Sequence, residues 1–170
     1  MAKTQVVCVL CLLTSGLARG EVRAADTPPE AHVRFPPGPK HIWVSKAVEG
    51  AVRRLSNPVC HEVLSDFSDA RGHTLVAGLA IRGQTLSTHL HELWFLDGRD
   101  QPQCARNSTD AFTVPGWQTI FVCPGVFRRP VGRGQEILVI HEILHTLGLG
   151  ENPPASDQIT RQVERRCAGV

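Results

Sequence analysis

His141-Glu142-Ile143-Leu144-His145 is the run whose residue types and spacing could do chemistry. On a helix, residues four apart share a face, so the two imidazoles can grip one metal ion from the same side. Glu142 sits one step of about 100° around the helix, within reach of a water on that metal without being a ligand. Two imidazoles and one carboxylate in this pattern are the core of metal-activated hydrolysis, with zinc as the ion. Two other His-Glu pairs act as internal controls. His61-Glu62 is followed at the fourth place by Ser65 and His91-Glu92 by Phe95, so neither completes the pattern.

The next residues read His145-Thr146-Leu147-Gly148-Leu149-Gly150-Glu151. Gly148 can take a left-handed conformation and end the helix. The chain then folds back, and Glu151 arrives as a third ligand. The string HEILHTLGLGE resembles the metzincin signature HExxHxxGxxH, most closely its matrixin form. That resemblance implies a zincin-like peptidase fold, with His141, His145 and Glu151 on zinc and Glu142 as general base. Two positions depart from the family pattern. Residue 151 is Glu where most metzincins have His; the snapalysin-like branch has an acidic residue there, as Asp. The family's Met-turn is missing too, since the only methionine is Met1. Glu164 is the alternative third ligand, on a later helix in the manner of gluzincins. The glycine turn favours Glu151.

Residues 1–20 read as a secretory signal, with Lys3 at the charged start, Val6 to Leu13 as a short apolar run, and cleavage after Gly20. A secreted or periplasmic chain follows. Cys8 and Cys11 leave with the signal. The four remaining cysteines imply two disulfides, with Cys104–Cys123 and Cys60–Cys167 the favoured pairing. Once Lys3 and Arg19 are gone, basic and acidic residues balance at 16 each. That balance gives no reason to expect a nucleic-acid partner, and no further stretch is long and apolar enough to span a membrane. About 150 residues suit one domain with one core, expected to be monomeric.

Residues 21–40 are rich in Pro and Gly and read as loose or extended, a flexible segment or short pro-segment. The catalytic domain is expected over 41–170. Strands are expected at 41–44, 74–81, 89–96, 111–114 and 118–123. Helices are expected from Ser45 through Leu55, at 59–67, at 134–147 for the motif, and at 157–167. This order implies an α+β domain, a small mixed sheet packed on the HExxH helix with a short helical C-terminal part.

Other candidates carry less. On a strand, His89 and His91 would share a face and could line a cleft or hold a second metal. Arg128 and Arg129 are basic groups that could steady an oxyanion, a role open to no tyrosine because the sequence has none. Asn107-Ser108-Thr109 is a glycosylation sequon. Trp43, Trp94 and Trp117 read as packing residues. The expected function is a secreted zinc metallopeptidase acting on a peptide or protein substrate. The alternative is a secreted zinc-containing binding or scaffolding domain without turnover.

Overall fold

The computed structural model describes residues 31–105, 109–128 and 130–170. The expected signal segment, the sequon positions Asn107 and Ser108, and Arg129 lie outside the described residues. The architecture is mixed α+β. Strand β1 (His32–Arg34) leads into the long helix α1 (Pro39–Leu55), then two short helices α2 (Pro58–His61) and α3 (Val63–Asp66). Helices α4 (Leu75–Ile81) and α5 (Leu86–His91) precede strand β2 (Trp94–Asp97). Strands β3 (Ala111–Thr113) and β4 (Thr119–Val122) form a hairpin before the motif helix α6 (Arg133–Thr146), and α7 (Ser156–Cys167) closes the fold. The sheet order is β1-β2-β4-β3. β1, β2 and β4 are parallel, while β3 runs antiparallel to β4 at one edge.

Three strand expectations are corrected. Residues 41–44 belong to α1, which begins at Pro39 after Gly38 and not at a Ser45 cap. Pro suits the first helical turn because its missing N–H has no partner there anyway, and Val44, Ala47, Val48, Ala51 and Leu55 form the buried stripe. Residues 74–81 form α4, capped by the Thr74 hydroxyl accepting from the Ala77 amide at 3.3 Å. Burial of Leu75, Gly78 and Leu79, with Val76 and Ile81 exposed, follows a helical period. Short apolar runs do not separate helix from strand by pattern alone. Residues 89–96 divide between α5 and β2. On a helix, residues two apart point about 200° apart, so His89 is buried and His91 exposed, and they form no shared metal face.

The expected hairpin and the two last helices are present within a residue or two. The hairpin tip Val114-Pro115-Gly116-Trp117 closes with the Trp117 amide on the Val114 carbonyl at 2.9 Å and Gly116 at φ 84°. Pro then Gly at these two places is what a type II turn requires. Residues 31–40 are not loose: β1 pairs with β2, and Ala31 and Phe35 are buried in the core.

Helices α1 and α6 pack directly against each other beside the sheet. Gly50 marks the close approach, because a Cβ there would meet the Glu136 side chain at 2.3 Å. One turn on, Arg54 pairs with Glu136 at 2.5 Å and also donates to the Cys167 carbonyl at 2.7 Å, joining α1, α6 and α7. Disulfides Cys60–Cys167 and Cys104–Cys123 are both formed, as the sequence favoured. The first fastens α7 to α2, and the Arg166–Asp66 ion pair at 2.7 Å supports the same junction. The second fastens the segment entering β3 to the end of β4. Two disulfides fit an extracellular protein. Among the described residues no helix is long and apolar enough to cross a membrane.

Candidate metal centre

The motif helix is buried over nearly its whole second half, from Val139 to Thr146. Its end is set by a glycine. Gly148 adopts φ 108°, its amide bonds the His145 carbonyl at 2.9 Å, and the Leu149 amide bonds the Leu144 carbonyl at 3.2 Å. These two bonds make a Schellman cap, with Leu149 and Leu144 both buried as its apolar contact. The reversal carries Glu151 back over the helix face that bears the histidines.

His141, His145 and Glu151 converge. The two Nε2 atoms are 3.0 Å apart, and Glu151 Oε1 lies 3.6 Å from His141 Nε2 and 3.4 Å from His145 Nε2. Ligand atoms about 2.0–2.2 Å from a tetrahedral ion stand roughly 3.3–3.6 Å from one another. The spacing therefore fits one small ion, with the imidazole pair slightly tight. Among the described residues this is the only group of His, Cys, Asp and Glu that could hold a metal. Glu164 is not part of it.

Hydrogen bonding prepares the ligands. His145 Nδ1 lies 2.7 Å from the Leu149 carbonyl, which can only accept. Nδ1 therefore carries a proton, which makes Nε2 the nitrogen that can ligate. The glycine turn thus supplies both the third candidate ligand, Glu151, and the carbonyl that orients the second, His145. His141 Nδ1 lies 3.0 Å from Thr160 Oγ1 on α7. Burial, reinforced by His145 nearby, holds the His141 imidazole well below its usual pKa, with Glu151 opposing, so the ring is neutral and able to ligate.

Glu142 is buried beside this group, and its Oε2 has no hydrogen-bond partner among the described residues. Burial, with the Glu151 charge adding to it, pushes its carboxyl up to about 8. A cation on the three ligands is the charge that would offset that penalty. The side chain borders a half-open cleft of about 180 Å³, lined also by Phe112, Thr113, Pro115, His145 and Glu151. The cleft is thus walled by edge strand β3 and the hairpin tip, which is tied to the motif helix by the Gly116 amide on the His145 carbonyl at 2.9 Å.

The other sequence candidates fall elsewhere. His89 Nε2 bonds Thr146 Oγ1 at 2.8 Å, and that hydroxyl donates to the Ile143 carbonyl at 2.7 Å. His89 therefore braces the last turn of α6 from behind. Arg128 is exposed on a short 3-10 turn and does not line the cleft. Trp43 packs edge-on against Phe127, and Trp94 stacks on His32 and lies under the Arg34 guanidinium. Trp117 is exposed at the hairpin tip. Thr160 and the Leu149 carbonyl had no sequence signal, since a lone hydroxyl and a backbone carbonyl have no distinctive spacing. No family model, curated protein or solved structure matches this chain.

Proposed function

We propose that this chain is an exported zinc-dependent peptidase of metzincin-like organisation, with His141, His145 and Glu151 as metal ligands and Glu142 as general base. The observation that carries it is Glu142 Oε2, a buried carboxylate oxygen without a hydrogen-bond partner among the described residues, beside three side chains that could hold a metal and that border a cleft. A metal site serving only stability has no use for that carboxylate. A zinc ion held by His141, His145 and Glu151 would supply Lewis-acid activation of a water and of a carbonyl. Glu142 would accept a proton at its carboxylate and return it to the leaving nitrogen. The Leu149 carbonyl and Thr160 hydroxyl keep both imidazoles in register meanwhile. Residues Ala111–Thr113 lie at the sheet edge beside the cleft. An extended peptide can add there as a further strand.

The second reading, a zinc-containing binding domain without turnover, draws on the missing tyrosine and the missing Met-turn. Glu142→Gln separates the two, because it removes the base and keeps both imidazoles. On the peptidase reading, zinc content is unchanged and cleavage of casein or a peptide library falls by about 10²–10⁴-fold. Equal cleavage by both proteins refutes the role of Glu142, and no cleavage by either, with zinc bound, selects the binding domain.

A further inference from the structure

The cleft at the candidate metal centre has two unlike walls. One is polar and carries Glu142, His145 and Glu151. The other is the β3–β4 hairpin, which contributes Phe112, Thr113 and Pro115. Phe112 stands on edge strand β3 opposite Phe121 on β4, and the two rings stack at 5.1 Å with 17° between their planes. Phe121 thus backs the Phe112 ring. The Thr113 hydroxyl is engaged within the hairpin, donating to the Thr119 carbonyl at 2.5 Å. Backbone groups of the strand apart, the hairpin wall is therefore apolar. It is also tied to the metal helix, through the Gly116 amide on the carbonyl of His145.

Size and charge narrow the occupant. The cleft measures about 180 Å³, and an apolar cavity of about 150 Å³ takes up benzene. One aromatic ring therefore fits, packed on Phe112 offset or edge-on as aromatic pairs do. Among the described residues no Lys or Arg lines the cleft, while two carboxylates do. An acidic side chain would find no cation there and would face both Glu142 and Glu151. On the peptidase reading those two carboxylates serve proton transfer and the metal, so neither remains for a cationic side chain.

Building on that reading, we propose that Phe112 is a specificity-determining residue. The hairpin wall selects a substrate with an aromatic side chain beside the bond presented to the metal, and rejects one with a carboxylate in that place.

The test uses the zinc-loaded mature chain with phenylalanine, glycine and aspartate hydroxamates, which chelate metal through the same group and differ in the side chain beside it. Calorimetry should find phenylalanine hydroxamate about tenfold tighter than glycine hydroxamate, the size expected of a partly buried ring with one ring contact. Aspartate hydroxamate should be the weakest of the three. In Phe112→Ala the phenylalanine preference should fall to within about threefold, with glycine hydroxamate binding and zinc content unchanged. Phe112→Lys, a substitution that suits an edge strand, should raise aspartate hydroxamate above glycine hydroxamate. Equal affinities in the unmodified protein, or a phenylalanine preference that survives either substitution, overturn the assignment. Binding needs no turnover. Failure of the peptidase reading therefore appears separately, as absent peptide cleavage with the phenylalanine preference intact.

Discussion

Glu151 is the residue on which the metal-site geometry turns, and its removal gives a quantitative test. Its Oε1 completes a triangle with two imidazole nitrogens 3.4 and 3.6 Å away. Glu151→Ala leaves two protein ligands. Loss of a group that merely orients a ligand weakens metal binding about 10–100-fold, so loss of a ligand itself should cost at least about 100-fold, or about 2.7 kcal/mol. At a zinc concentration about 1,000-fold above the dissociation constant, the unmodified chain gains about 4 kcal/mol from binding and the variant only about 1.4 kcal/mol. For a domain of this size, 1 kcal/mol moves the melting temperature by about 2–4 °C. Zinc should therefore raise the melting temperature of Glu151→Ala by about 5–11 °C less than that of the unmodified chain. Glu164→Ala is the matched control and should bind zinc within about threefold of normal. Competition titration against a chromophoric chelator measures both, and calorimetric melts check the stability difference. If Glu164→Ala weakens zinc more than Glu151→Ala, the Glu151 assignment is refuted and the downstream-helix ligand takes its place.

Gly148→Ala forces a side chain into φ 108° and puts its Cβ 3.3 Å from Asp69 Cβ. A loss of about 1–2 kcal/mol is expected from the backbone alone, with weaker zinc binding because Glu151 and the Leu149 carbonyl both hang on that turn; an unchanged denaturation midpoint and zinc affinity would refute it. Replacing Cys60 and Cys167 by Ser opens a closure spanning 107 residues, against 19 for Cys104 and Cys123. Chain entropy then predicts losses of about 4.7 and 3 kcal/mol respectively, measurable by urea denaturation, and the reverse order would count against it. His89 is held at about 4 by burial, with Arg82 adding a smaller push. The unfolded chain takes up a proton near its ordinary 6.5 and the folded chain does not, so stability is full above about 6.5 and declines as pH falls toward 4. In the metal-free protein His141 adds to the same decline, and His89→Gln should reduce the slope; equal slopes for the variant and the unmodified chain exclude His89 as a contributor.

The group that could hold a metal ion was legible in the sequence because its parts are local. Four-residue spacing puts His141 and His145 on one helix face whatever surrounds them, and a glycine three residues after the second His can only be read as a stop. The hairpin at Pro115-Gly116 and the disulfide pairing were legible for related reasons, turn chemistry in one case and a small number of cysteines in the other. Tertiary packing decided the rest. The apolar runs at 41–44 and 74–81 suit either a strand or a helix, and only the surface each must cover selects the helix. His89 and His91 looked like a pair until α5 turned one inward and the other out. Thr160 reaches His141 because a disulfide and the Arg54 contacts hold α7 against α6, a distance of 19 residues along the chain that no local pattern encodes. The positions of Glu151 and Glu164 were decided in the same way: both are carboxylates within reach of the motif in sequence, but the left-handed turn at Gly148 brings Glu151 to the imidazoles, while Glu164 stands exposed on α7.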